Sequence, residues 1–454
     1  MANGMLSLHV YSYMRLLILL LASSVVCIAQ TPKSSKAVVY NSLGVKSAPM
    51  ASAVSMELYA RFQHKVATTK SVNDKYDVNI NSPKSVNYLP EKGKFYVQSL
   101  EGNETVVYDL KSLQKLKVIP HDFNASNKNL FKDGESTCFD YKFQFRSGNY
   151  NTFKGKPVES CFSHNGRYLW VTYYRRSYDP NAINPSAVAI IDTDTDEIVR
   201  VMPAGVLPKM IAASPDNRYV AVTHWGDNTI GIIDVQSEDP FQFKYVKHLV
   251  VDRRLELSFG INEKVDRDVN CGYCLRGTVF TPDSKHLFVG RMGGGGIAVF
   301  DVDKDFEYMG VTFTQHNNIR HLVISGDDLL ISTNNNGYIQ KIPWRKFVEH
   351  RIENAGKVST LSEGWQNCYV GPGVRTISVS NGGKYIFACV NEVSKIVAIE
   401  ASTMKVVSEI PADSFPVGME ITDTNDYLLV TAQGKSNAGG GHSVTIYKVT
   451  FAEQ

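Results

Sequence analysis

Short apolar runs separated by polar turns fill this chain from about residue 84 onward, and they recur in one order. A strand-like run leads into a turn built on Ser or Thr with Pro, Gly, Asn or Asp. A second apolar strand, a polar loop and a third strand follow. Residues 213–223 and 280–290 are the clearest copies, and the third strands stand at 106–109, 189–192, 231–234, 298–301, 397–400 and 444–447. Aligning the turns gives seven anchors: Leu89, Ser163, Ser214, Thr281, Ser325, Ser380 and Thr422. Such self-similarity means stacked supersecondary units, none of which buries its apolar faces alone. The closest anchors are one four-stranded propeller blade apart, and the wider intervals contain insertions, the longest across residues 120–156. The expected fold is all-β, a seven-bladed β-propeller of four-stranded antiparallel blades.

The last unit ends at residues 446–449 and lacks a fourth strand, while residues 76–80 precede the first unit where such a strand is wanted. An N-terminal strand is therefore expected to complete the last blade, which hides both sheet edges. The expected organisation is a signal peptide at 1–29, an extension at 30–74 and the propeller at 75–454.

In an up-and-down blade, the start of the innermost strand and the second hairpin face one rim of the central channel. Five residues before each anchor stand Lys84, Val158, Lys209, Arg276, Arg320, Arg375 and Val417. Five of these seven are basic, where 48 Lys and Arg in 454 residues would place about one at most. A repeat column becomes a ring in a cyclic fold, so these charges are expected to converge and attract an anion. The second hairpins add His224, Trp225, Arg291, Tyr173, Tyr174, Arg175 and residues 334–336, and Gly293 to Gly296 would let backbone approach a ligand. The competing reading pairs each cation with an acid of a neighbouring blade, such as Glu159, Glu392 or Asp227.

The strands at 169–172, 220–223 and 428–431, with the -Ile-Ile-Asp- type strands that follow them, resemble those of YVTN-repeat β-propellers across residues 84–450. The resemblance implies the fold and leaves function open, since such propellers include lactone hydrolases, nucleic-acid or protein binders, cell-surface scaffolds and haem-binding domains. The reading favoured here is a binding or scaffold protein whose basic, aromatic mouth takes an anionic small molecule, a glycan or a protein partner. The alternative is a lactonase-type hydrolase at the same mouth, with Glu159, His224 and His321 as catalytic candidates, Glu420 beside them and a divalent metal as its cofactor. Without that alternative no cofactor and no metal ligand set is expected.

Composition narrows this further. A formal net charge of +3 gives no whole-protein field for nucleic acid, which is the less favoured partner. Arg15 followed by the apolar run 16–26 and small residues ending at Ala29 reads as a cleaved signal peptide, hence export to the periplasm or beyond. A lipoprotein reading of Cys27 is weaker, because Val26 stands where a small residue is wanted. No later stretch is apolar enough for a transmembrane helix, and a monomer is expected. Among the other six cysteines, Cys138, Cys271, Cys274 and Cys368 are the disulfide candidates, with a zinc site as the other reading, while Cys161 and Cys389 lie in apolar strands. Cys271-Gly272-Tyr273-Cys274 is followed by Leu275 rather than His, which argues against covalent haem.

Overall fold

The computed structural model describes residues 40–49, 53–141, 151–256, 263–434 and 440–452. The signal peptide, with Cys27, lies outside the described residues. Seven antiparallel sheets follow one another, each built outward from an innermost strand. The innermost strands are Pro83–Leu89, Phe153–Ser163, Pro208–Ala213, Leu275–Phe280, Ile319–Ser325, Val374–Val379 and Pro416–Ile421, heading blades I to VII. Each touches the next, and Pro416–Ile421 touches Pro83–Leu89, so the ring closes. The chain is a seven-bladed β-propeller.

The repeat anchors have a chemical reason. In the first hairpin of each of four blades the anchor hydroxyl accepts the backbone N–H five residues on. Tyr219 N donates to Ser214 Oγ at 2.9 Å, His286 N to Thr281 Oγ1 at 3.0 Å, Tyr385 N to Ser380 Oγ at 3.0 Å and Tyr427 N to Thr422 Oγ1 at 3.1 Å. Asn217 and Asn425 occupy the left-handed position of their turns, which Asn tolerates better than most residues. Their side chains reach the preceding blade: Asn217 Oδ1 accepts from His164 N at 2.9 Å and Asn425 Oδ1 from Asn381 N at 2.6 Å.

Closure uses an N-terminal strand, but not residues 76–80. The fourth strand of blade VII is Val54–Gln63, antiparallel to Ser443–Phe451. Its alternate residues Val54, Met56 and Leu58 join the core between blades VI and VII, and Ala60 and Phe62 join the core shared with blade I. Asp74–Tyr76 only adds a short parallel edge to it. Residues 54–63 thus belong to the propeller and not to an extension outside it. Arg61, buried in this strand, reaches Asp413 Oδ1 at 3.4 Å, and Asp413 also accepts from Ser443 Oγ at 2.7 Å. These contacts clasp the two ends of the chain together.

Blades II and IV carry extra short strands, and blade V inserts the helix Trp344–Glu353 before its outermost strand. Cys271 and Cys274 lie at disulfide distance, with Cα atoms 4.8 Å apart, while Cys138, Cys161, Cys368 and Cys389 are free thiols. The bridge pins one short turn and does not staple two connections together, as the four candidate cysteines had suggested. Among the described residues no helix is long and apolar enough to cross a membrane.

Candidate functional site

The basic column sits on a repeated irregularity. In six blades the ladder between the first two strands slips by one residue at the start of the innermost strand, and in blade II it slips twice, between Gly155 and Pro157 and between Pro157 and Ser160. Lys209 lies between the paired residues Pro208 and Met210, and Arg320 between Ile319 and His321. A bulge residue leaves the ladder and re-aims its side chain. Lys84, Lys209, Arg276, Arg320 and Arg375 accordingly line one cavity of about 400 Å³ at the channel mouth, together with Tyr174, Arg175, Asp268, Gln433 and the ion pair Lys156–Glu101. Val158 lines the same cavity from blade II.

Below it the channel continues as a cavity of about 450 Å³, lined by Ser85, Asn87, Glu159, His321, Thr376, Ser378 and Glu420. Arg276 and Arg320 line both cavities. The channel is therefore charged at its mouth and mostly uncharged but polar inside. Burial holds the His321 imidazole neutral, with a pKa of about 3, and Arg276 and Arg320 add to this. Its Nδ1 accepts from Ile377 N at 3.3 Å. Burial raises the Glu420 carboxyl to about 8, against the opposing pull of the Tyr88 backbone and the Asn87 amide.

Carboxylates answer only part of the ring. Arg276 pairs with Glu159, and Lys209 Nζ lies 2.8 Å from Asp268 Oδ1. Asp268 also accepts from the Tyr174 hydroxyl and stands 3.9 Å from Arg175. Among the described residues, the other three cations have no carboxylate in ion-pair range. Lys84 Nζ donates to Gln433 Oε1 at 2.7 Å. Arg320 reaches only the sulfur of Met292, at 3.2 Å. Arg375 stands 5.5 Å from the centroid of the Phe415 ring.

The charges feel one another. Burial, then Arg375, Arg320, Arg276 and Lys209, push the Lys84 amine well down. Burial lowers Lys209 to about 7 even though Asp268 opposes it. Burial, then Arg375 and Arg276, lower Arg320, and burial with Arg276 brings Arg375 to about 10.

Other sequence candidates lie elsewhere. Trp225 is buried beside the site, its ring 3.7 Å below Lys209 Nζ and its indole N–H donating to Asp268 O at 3.1 Å. It positions the lysine. Arg291 is buried on the Tyr273 ring and paired with Asp252 at 2.9 Å, away from the cavity. His224 is fully buried in a network in which it accepts from Gly205 N at 3.0 Å and meets Thr229 Oγ1 at 2.8 Å. Glu159 and His321 share the inner cavity, but His224 does not join them. Tyr173 is likewise buried in the core. The Gly293–Gly296 run packs on the disulfide turn: a Cβ on Gly293 would meet Gly272 O at 2.8 Å and Cys274 Sγ at 2.9 Å. Among the described residues, no three His, Cys, Asp or Glu side chains gather as a metal site.

No protein-family model and no curated protein matches the chain. Solved structures do. Hydrazine synthase of Kuenenia stuttgartiensis aligns at a TM-score of 0.54 with 13% identity, covering 85% of this chain and 100% of that one. The Cps50 (Swd1) β-propeller domain of Myceliophteria thermophila aligns at 0.51 with 13% identity over 82% of this chain and 97% of that one. A chain of the Mitotic Checkpoint Complex aligns at 0.51 with 12% identity over 86% of this chain and 100% of that one. At such identities the likeness concerns the fold alone.

Proposed function

We propose that this protein is an exported propeller of the YVTN-repeat type that binds a small anionic ligand at the basic mouth of its channel. The observation that carries this reading is the imbalance at the mouth. Five cations from five blades converge, and among the described residues only Glu159 and Asp268 lie in ion-pair range of them. Charges held close together out of bulk water destabilise the empty fold unless something offsets them, and an anion does so. Arg320 and Arg375 leave their planar donor forks free of carboxylates, which suits a carboxylate or phosphate taken at two points. The cavity volume of about 400 Å³ favours a small molecule over a polymer. Export rests on the signal-peptide pattern at residues 1–29 and is compatible with a Cys271–Cys274 bridge.

A thermal-shift panel of small di- and tricarboxylates, phosphates and neutral polyols tests the reading. Anions are expected to raise the melting temperature and to lose that effect as salt screens the site, while polyols do nothing. A panel in which no anion shifts the wild-type protein, or in which anions shift an Arg320→Ala/Arg375→Ala variant equally, would contradict it.

A further inference from the structure

Three lysines line the mouth, and they stand in different surroundings: Lys156 pairs with Glu101 at 2.8 Å. Lys209 is held by Asp268 and lies over Trp225. Lys84 has one neutral partner, Gln433 Oε1 at 2.7 Å, and no carboxylate in ion-pair range among the described residues. Lys209, Arg276, Arg320 and Arg375 line the same cavity around it. A protonated amine is disfavoured there twice, by removal from water and by like charge. Both effects push its pKa well down. A neutral lysine amine carries a lone pair and attacks carbonyl carbon, and nearby cations are one of the established ways to keep it neutral.

The backbone under Lys84 is fixed at the seam between blades VII and I. Thr431 Oγ1 donates to Lys84 O and accepts from Gly418 N at 2.9 Å. A Cβ on Gly418 would lie 2.2 Å from that same carbonyl oxygen, so this close approach of the two strands requires glycine. The amine is thus carried on a rigid element beside two arginine forks that no carboxylate of the described residues fills.

We propose that Lys84 Nζ is a nucleophile that forms an imine with the carbonyl carbon of a small 2-oxo acid whose carboxylate is held by Arg320 and Arg375. The nitrogen lone pair forms the C–N bond as the carbonyl π pair moves to oxygen. Proton transfer from nitrogen to that oxygen gives the carbinolamine. Loss of water, with the second nitrogen proton, leaves the C=N bond. One amine and one carbonyl give one imine and one water, with no oxidant or reductant required. The inference rests on the anion-binding reading and adds covalent chemistry to it.

Pyruvate is the probe, with cyanoborohydride to reduce the imine to a stable secondary amine and lactate as the anion that lacks a carbonyl. Peptide mapping by mass spectrometry is expected to find one reduced adduct at Lys84 in wild type and none at residue 84 in Lys84→Arg. Arg375→Ala, which leaves Lys84 in place, is expected to slow adduct formation about tenfold, the loss of one charge-assisted hydrogen bond. Adducts spread over surface lysines, or concentrated on Lys209, would overturn the inference. So would tight calorimetric binding of pyruvate and lactate without any adduct, an outcome that leaves the anion-binding reading intact. Absence of binding by every small carboxylate would overturn both.

Discussion

Lys209 Nζ lies 2.8 Å from Asp268 Oδ1, whereas Lys84, which lines the same cavity, has no carboxylate in ion-pair range among the described residues. On the Lys209 side, Asp268, Tyr174 and Arg175 form a satisfied cluster over Trp225. Lys84, Arg320 and Arg375 face the same cavity with no carboxylate in ion-pair range among the described residues. A core built only for stability would pair or remove such charges. On the proposed reading, an anion would sit on the Lys84 side.

Replacing an unanswered arginine with an apolar side chain of similar length should therefore stabilise the empty protein. Arg375→Met, with Phe415 beside it, is expected to raise unfolding free energy by about 1–2 kcal/mol in urea titrations. Arg276→Met should lower it, since Glu159 would be left buried without its partner. Equal destabilisation by both changes would contradict the assignment.

The closing strand gives a graded boundary. Removing residues before Val54 takes away the Gly44–Leu58 and Ala48–Glu409 backbone hydrogen bonds and should lower the melting temperature moderately, whereas removing residues through Gln63 exposes two sheet edges and should yield aggregated or strongly destabilised protein. Asp413→Ala, which removes the weaker of the buried Arg61's two carboxylate partners and leaves Asp74 in place, is expected to cost about 1.5–3 kcal/mol. Chemical denaturation measures both.

Glu420 predicts a pH dependence. Its carboxyl is raised by burial from an ordinary 4.5 to about 8 in the fold. Between those values the folded protein holds a proton that the unfolded chain releases. The stability contributed by this group is therefore full below pH 4.5 and declines as pH rises toward 8. Glu420→Gln should remove that decline, which melting curves across this pH range would reveal. A wild-type curve parallel to that of the variant would count against the buried, neutral acid.

The Cys271–Cys274 bridge closes a very short loop, so its removal should cost only about 2 kcal/mol by chain entropy. Its second effect is on the site, because the same connection carries Asp268 and leads into Arg276. The Cys271→Ser/Cys274→Ser variant is expected to keep the fold and to weaken ligand binding more than Cys368→Ser does, as measured by calorimetry.

The ring was legible in the sequence because its five cations share one repeat position, which cyclic symmetry brings together. The device that turns them inward, a bulge in every blade, leaves no compositional mark. Nor does Asp268, which comes from a connection outside the aligned pattern, while Gln433 stands in the second hairpin of blade VII at the position that Trp225 holds in blade III. Arg291 and His224 misled for a physical reason. Each pairs directly with the first residue of the innermost strand, Leu275 or Pro208, and so shares that residue's buried face instead of the bulge residue's direction. The closing strand was hidden because Glu57, Arg61 and Gln63 interrupt its apolar run, although Val54, Met56 and Leu58 keep the two-residue period.

Isothermal titration of the anion that most stabilises the protein tests the central claim most directly, with wild type, Arg320→Ala, Arg375→Ala and the exposed control Arg345→Ala compared in one buffer. Saturable binding is expected in wild type and in the control, with a loss of about 1.5–3 kcal/mol of binding free energy in each mouth variant. Unchanged affinity in Arg320→Ala and Arg375→Ala would contradict it.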